Sequence, residues 1–153
     1  MQLDDLYRRV IMDHYKKPHN QGQMEDGSVS VDLNNPTCGD RISLQLRVVE
    51  NVVTNAKFSG EGCSISMSSA SMMTDAIKGK SLQEALALAD GFSRLMRGEA
   101  VEFEYEDIEA LSGVNKFPAR IKCATLAWNA LKKSVLQLNP EAASSYGSGS
   151  NDN

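Results

Sequence analysis

The sequence has no long hydrophobic run and no excess of positive charge. Its longest uninterrupted apolar stretch, Ala85 to Ala89, is only about five residues, whereas a membrane-spanning helix needs about 20. The first residues are acidic and contain no apolar signal core, so we expect a cytoplasmic protein that does not bind membranes. The net charge of −4 gives no overall positive field, and we therefore expect no nucleic-acid partner.

Cysteine and proline are scarce, with three and four residues respectively. Cysteines at 38, 63 and 123 form a poor disulfide framework for a cytosolic domain, so we interpret them as thiols or metal ligands. The composition is otherwise that of a globular protein, with 41% hydrophobic and 24% charged residues in a chain of 153. We predict one domain over 1–138 and a disordered tail, rich in Ser, Gly and Asn, over 139–153.

Hydrophobic periodicity predicts three strands that are preceded and followed by helices. The predicted elements are a helix over 3–17, strands over 29–33, 42–48 and 52–58, helices over 63–78, 81–89 and 118–138, a short separate helix over 92–97, and a solvated acidic linker over 99–109. A tight turn at Glu50-Asn51 joins the last two strands, and Ser81 with Glu84 forms a capping box. Short connections between strands favour an α+β fold, in which helices cover one face of a small antiparallel sheet.

Two of the cysteines lie where a loop or a helix end leaves a thiol available for chemistry. Cys38 lies in a loop two residues before Asp40, and Gly39 between them permits a sharp turn. Cys63 opens a predicted helix, where the helix dipole favours the thiolate. A cysteine taken alone is most often a small buried hydrophobe. Together with Cys123, however, these residues make a set of three thiolates and one carboxylate, which suits tetrahedral Zn²⁺ or iron–sulfur chemistry.

The segments around the three cysteines resemble the motifs of the IscU/SufU (NifU N-terminal-like) family of iron–sulfur cluster assembly proteins. These segments are Asn35-Pro36-Thr37-Cys38-Gly39-Asp40, Phe58-Ser59-Gly60-Glu61-Gly62-Cys63-Ser64-Ile65-Ser66 and Phe117-Pro118-Ala119-Arg120-Ile121-Lys122-Cys123-Ala124. The resemblance extends over most of the chain. It implies a compact α+β domain whose metal ligands are Cys38, Asp40, Cys63 and Cys123.

Two features favour the SufU branch of that family over the IscU branch. IscU-type scaffolds carry a histidine immediately before the third cysteine, but this chain has Lys122, which is no ordinary metal ligand while it is protonated. The acidic stretch over 99–113 resembles an insertion that SufU proteins have between their second and third cysteines.

The SufU resemblance implies a zinc-dependent sulfur acceptor. In this reading a pyridoxal-phosphate cysteine desulfurase of the SufS type supplies sulfur as a persulfide, and SUF cluster-assembly machinery receives it afterwards. We expect Cys38 to accept the sulfur after a desulfurase histidine displaces it from zinc, because a loop residue can move whereas Cys63 and Cys123 lie on helices. The site carries a net negative charge, so we expect the Arg120 guanidinium to hydrogen-bond to it.

Two alternatives remain open at this point. One is a scaffold on which a [2Fe–2S] cluster forms and departs, since an oxygen ligand from Asp40 leaves such a cluster more labile than four thiolates would. The other is a structural zinc module without sulfur transfer, for which the metal contributes on the order of 10 kcal/mol to folding. Outside the cysteine motifs, we expect His14 to be packed in the core and His19 to be more exposed.

Overall fold

A three-stranded antiparallel sheet, covered on one face by helices, organises the protein. The computed structural model describes residues 3–36 and 39–139. Its elements in chain order are α1 (Leu3–Lys16), β1 (Val29–Asn35), β2 (Asp40–Val49), β3 (Val52–Glu61), α2 (Ser64–Ile77), α3 (Leu82–Met96), a 3-10 helix (Glu106–Lys116) and α4 (Pro118–Leu138). The strands lie in the order β1-β2-β3, with α4 packed on β1 and β2 and α2 packed on β3. The α+β prediction is therefore confirmed.

The described residues leave two predictions untested. Cys38 lies outside them, and so does the predicted disordered tail apart from Asn139. Within the described ranges, none of the helices combines the length and the apolar character that crossing a membrane requires.

The hairpin of β2 and β3 turns at Glu50-Asn51, as predicted. Both residues have positive φ values, 51° and 68°, which is the backbone conformation of two-residue turns that match the twist of the strands. A β-bulge leaves Thr54 without a partner residue on β2. As a result Val53 and Ala56 both face the core, although strict alternation would place them on opposite faces of the sheet.

The core between the helices is built around Trp128 of α4. Its indole stacks on Phe92 of α3, with ring centroids 4.8 Å apart, and its Nε1–H donates to Ser69 Oγ at 3.1 Å. A buried indole therefore keeps its polar atom paired while its rings fill the interior. The methionines that α2 contributes, Met67, Met72 and Met73, are buried in the same core.

Two sequence predictions between α2 and α4 are wrong in part. The separate helix over 92–97 does not exist, because α3 continues through Gly91, where Phe103 packs 3.5 Å from the position a Cβ would take. The acidic stretch is not simply a solvated linker either. Phe103 is buried, and the chain from Glu106 forms an 11-residue 3-10 helix whose apolar side chains face the core.

A polar cluster holds the 3-10 helix against α1 and α2. The buried ring of His14, as predicted packed in the interior, contacts Ser71 Oγ through Nδ1 at 2.7 Å and Asp107 Oδ2 through Nε2 at 2.8 Å. Tyr105 donates to Asp75 Oδ2 at 2.8 Å, and the half-exposed His19 ring bonds to the same oxygen. The two histidine rings lie 4.4 Å apart, so this cluster joins three separate parts of the chain.

Hydrogen bonds to Asp75 make the cluster sensitive to acid. Burial raises the pKa of Asp75, but hydrogen bonds from His19, Tyr105 and Asn20 outweigh it, so the pKa lies below its ordinary value. Burial and the Asp75 carboxylate raise the pKa of Tyr105, which keeps its hydroxyl a donor. A carboxylate with a lowered pKa stabilises the fold above about pH 4, and this stabilisation is lost as the pH falls through the folded-state pKa.

We predict that Tyr105→Phe lowers the free energy of unfolding by about 1 kcal/mol at pH 7, because it removes a hydrogen bond to a charged group. The difference from the original chain should begin to shrink below about pH 4, where Asp75 of the unfolded chain takes up a proton, and should vanish as the pH falls through the lower folded-state pKa. Urea unfolding at pH 7 and pH 3.5 measures both effects. Tyr15→Phe is the matched control, since Tyr15 is exposed; equal losses in the two variants would contradict the prediction.

Candidate metal centre

Two thiols and one carboxylate converge at the end of the sheet nearest the start of α2. Ligand atoms of Asp40, Cys63 and Cys123 all lie within 4.8 Å of one another. Asp40 and Cys123 are buried, each with about 1% of its surface exposed, and Cys63 is partly buried. Three of the four predicted ligands are therefore adjacent, although they are far apart in the sequence.

Asp40 is held by its own hydrogen bond to the backbone. As the first residue of β2 it projects towards the β3–α2 connection, where its Oδ1 accepts from the Cys63 N–H at 3.1 Å. Its Oδ2 lies 3.9 Å from Cys63 Sγ. One carboxylate oxygen is thus committed to the fold, and the other faces the thiols.

Two different helices position the two cysteines at this site. Cys63 is the N-cap residue of α2 with extended backbone dihedrals, and no side-chain bond caps the helix there. Cys123 lies in the second turn of α4, where its thiol donates to the Ala119 carbonyl oxygen at 3.8 Å. Pro118, at the start of α4, is compatible with the first turn because that position needs no backbone donor.

Close packing around Gly62 brings these groups together. A Cβ at Gly62 would lie 2.4 Å from Ser66 Oγ and 2.7 Å from Asp40 Oδ1, so only glycine leaves room for both side chains. Ser66 is fully buried and contacts Cys63 Sγ at 3.8 Å. The sequence analysis did not single out Ser66 as a site residue, although its spacing of three residues from Cys63 on a predicted helix was a usable signal.

The arrangement fits a tetrahedral metal ion. With bond lengths of about 2.3 Å to sulfur and about 2.0 Å to oxygen, tetrahedral zinc ligands lie about 3.5–3.8 Å apart. Cys63 Sγ and Asp40 Oδ2 are 3.9 Å apart, and all three ligand atoms lie within 4.8 Å of one another. Thiolates with one carboxylate are also donors that iron–sulfur chemistry uses. Three described donors leave one position for a fourth ligand.

Three basic residues lie within three positions of a predicted ligand in the sequence: Arg41, Arg120 and Lys122. Arg120 is exposed and lines a groove beside Ser64, so its predicted hydrogen bond to the site stays a prediction. Lys122 is exposed. Arg41 is also exposed, and its guanidinium donates to Glu61 Oε2 at 2.7 Å across the β2–β3 pair.

The groove beside the thiols combines apolar and basic side chains. It has a volume of about 620 Å³ and lies between α1, the start of α2, the end of the 3-10 helix and the start of α4. Phe117, which is 60% exposed, forms part of its wall. Its cationic side chains are Arg8, Lys116 and Arg120.

A serine, a histidine and an aspartate also share hydrogen bonds elsewhere in the fold, as in hydrolase triads. Ser71 bonds to His14, which bonds to Asp107. Ser71 is fully buried, however, and its Oγ also accepts from the His19 N–H at 2.8 Å. A nucleophile must reach its substrate, so these residues support the fold rather than a second chemical site.

Comparison with known proteins agrees with this geometry. Residues 6–143 match the family described as the NifU-like N terminal domain. The zinc-dependent sulfurtransferase SufU of Bacillus subtilis (strain 168) is 60% identical over 135 residues, which cover 87% of this chain and 91% of that protein. The iron–sulfur cluster assembly scaffold protein IscU of Streptococcus pyogenes serotype M1 is 53% identical over 135 residues, covering 87% of this chain and 84% of that protein.

The fold is also similar to that of a solved structure. A Fervidobacterium islandicum AW-1 protein, described as an iron–sulfur cluster assembly scaffold for the SUF system, gives a TM-score of 0.76 at 29% identity, covering 88% of this chain and 99% of that chain. The resemblance drawn from the three cysteine motifs is confirmed. The chain belongs to the NifU-like N-terminal domain family.

Proposed function

We propose that this protein acts in iron–sulfur cluster biogenesis as a zinc-dependent sulfur acceptor, taking persulfide sulfur from a cysteine desulfurase of the SufS type and passing it to downstream SUF machinery. The observation that carries the proposal is the convergence of Asp40, Cys63 and Cys123 within 4.8 Å. The 60% identity to a relative named as a zinc-dependent sulfurtransferase supports zinc and sulfur transfer over other uses of such a site.

The proposed ligands are Asp40, Cys63 and Cys123, with Cys38 as the fourth. Cys38 is bonded to Gly39, which directly precedes Asp40 and has a positive φ of 78°. The Gly39 N–H donates to the Asn35 carbonyl oxygen at 2.8 Å, which fixes where the chain enters β2. Bound Zn²⁺ would hold the thiols as thiolates in one geometry.

The proposed reaction is the transfer of one sulfur atom between two cysteines. The Cys38 thiolate attacks the terminal sulfur of the desulfurase persulfide, the sulfur–sulfur bond of that persulfide breaks, and the desulfurase cysteine leaves as a thiolate. A persulfide on Cys38 forms, with no net oxidation or reduction. Cys38 is the proposed acceptor because Cys63 and Cys123 are held by α2 and α4.

The groove beside the thiols is the proposed docking site for the desulfurase. Its Arg8, Lys116 and Arg120 favour an acidic segment of that partner, and the exposed Phe117 ring favours an apolar anchor within it. Because the groove also includes Ser64, next to Cys63, a segment bound there would lie beside the thiols.

A second candidate function is a scaffold for a transient [2Fe–2S] cluster. The carboxylate among the proposed ligands favours it, and so does the 53% identity to a relative named as an IscU scaffold. Anaerobic reconstitution distinguishes the two functions, because only the scaffold should hold a stoichiometric cluster and release it to an acceptor protein.

We predict that the isolated, untagged protein contains one zinc per chain and increases the turnover of its cysteine desulfurase. Cys38→Ala should abolish this increase, because it removes the accepting thiol, and Thr37→Ala is the neighbouring control. Elemental analysis and desulfurase turnover are the two measurements. Iron with sulfide and little activation would favour the scaffold, zinc without activation would favour a structural module, and full activation by Cys38→Ala would contradict the assignment of Cys38.

We predict that Gly62→Ala weakens zinc binding by about tenfold or more, because its Cβ must displace Asp40 Oδ1 and Ser66 Oγ. A competition titration with a chromophoric chelator measures the zinc dissociation constant. Gly113→Ala is the control, since no atom lies within 4 Å of its added Cβ. Unchanged zinc affinity in Gly62→Ala would show that the tight packing at Gly62 does not support the metal site.

We predict that Lys116→Glu weakens binding of the desulfurase by about tenfold, mainly through slower association, because it reverses a charge in the groove. Lys133→Glu makes the same charge change at an exposed position in the later part of α4 and should have little effect. Association and dissociation rates at low and high salt measure the difference. Equal losses in the two variants would indicate that net charge, not the groove, governs docking.

A further inference from the structure

The hydroxyl of Ser66 lies beside the thiol of Cys63 in the first turn of α2. Ser66 is fully buried, and its Oγ is 3.8 Å from Cys63 Sγ, with the thiol as donor. The same hydroxyl donates to the Cys63 carbonyl oxygen at 3.1 Å. Ser66 is therefore within reach of a sulfur atom that the proposed function assigns to the metal.

The Cys63 carbonyl does not depend on Ser66. The Met67 N–H donates to the same carbonyl oxygen at 3.1 Å, as the first backbone hydrogen bond of α2. One backbone donor already pairs this oxygen. The Ser66 hydroxyl proton can therefore rotate from the carbonyl to the sulfur without leaving a buried acceptor unpaired.

Space around the hydroxyl is limited, which keeps it in place. A Cβ at Gly62 would lie 2.4 Å from Ser66 Oγ and 2.7 Å from Asp40 Oδ1, so both oxygens crowd the same face of this glycine. The hydroxyl oxygen thus remains close to Cys63 Sγ whichever way its proton points. A metal-bound thiolate accepts hydrogen bonds but donates none, so the proton has an acceptor in that state.

On the basis of the proposed function, we propose that Ser66 donates a hydrogen bond to the Cys63 thiolate when the site holds its metal. Hydrogen bonds to a charged group are stronger than those between neutral groups, and this one lowers the electron density on a sulfur in a negatively charged site. The bond thereby offsets part of that negative charge and holds the Cys63 sulfur in its ligand position. Ser66 is a positioning residue, since it acts on the metal through Cys63.

Ser66→Ala tests this inference, with Ser68→Ala as its matched control. Ser68 is equally buried on the same helix, but its hydroxyl donates to the carbonyl oxygens of Ser64 and Ile65 at 2.6 and 3.2 Å. Two readouts are independent of sulfur transfer: the zinc dissociation constant, and the thiolate-to-cobalt charge-transfer band of the Co²⁺-substituted protein. Ser66→Thr, which keeps a hydroxyl, is a third variant in case the alanine variant does not fold.

We expect Ser66→Ala to weaken zinc binding by about tenfold or more and to move the cobalt band to lower energy, because the sulfur regains electron density. Ser68→Ala should change neither quantity, and Ser66→Thr should keep the original band. Unchanged values in Ser66→Ala, or equal changes in both alanine variants, would overturn the proposed role of Ser66 but not the proposed metal site. Failure of the original chain to bind either metal would overturn the proposed metal site itself.

Discussion

The register between β2 and β3 is the constraint on which the thiol site depends. Beyond the bulge at Thr54 the pairing brings Arg41 opposite Glu61, so that Asp40 lies next to Gly62. Without the extra residue the pairing would be shifted by one, and every side chain of β3 beyond the bulge would change faces. The Thr54 hydroxyl donates to the Arg47 carbonyl oxygen at 3.1 Å, which helps to hold the bulge. A local irregularity in a hairpin thus decides whether a carboxylate reaches the start of α2.

The same register joins the stability of the fold to the chemistry of the site. A buried carboxylate is costly unless its oxygens are paired. The Cys63 N–H donates to Oδ1 of Asp40, and the Cys63 thiol donates a weak hydrogen bond of 3.9 Å to Oδ2. A metal ion bound by this sulfur and this oxygen, as proposed, would replace that weak bond. Gly62 permits this approach because it has no side chain. The features that bring the ligands together therefore also place a buried carboxyl group against a thiol.

Sequence periodicity predicted the elements well and the contacts between them poorly. Local signals were sufficient for the Glu50-Asn51 turn and for the Ser81–Glu84 capping box, since both depend on neighbouring residues alone. The bulge was missed, although the three-residue spacing of Val53 and Ala56 contradicts strict alternation. The Asp40–Cys63 hydrogen bond could not be predicted, because it depends on that register. The helices predicted over 81–89 and 92–97 are one helix, and only the folded structure shows that Phe103 packs against Gly91 between them.

The 3-10 helix explains how an acidic chain can present a basic groove beside its thiols. Its acidic residues, Glu106, Asp107 and Glu109, lie in its first turn, and its only basic residue in the last turn is Lys116. At a rise of about 2 Å per residue, its 11 residues separate these ends by roughly 20 Å. The acidic end is bound to His14 through Asp107, and the basic end lines the groove. The proposed docking of an acidic partner segment in this groove therefore depends on the local separation of charge, because the net charge of −4 would by itself repel such a segment.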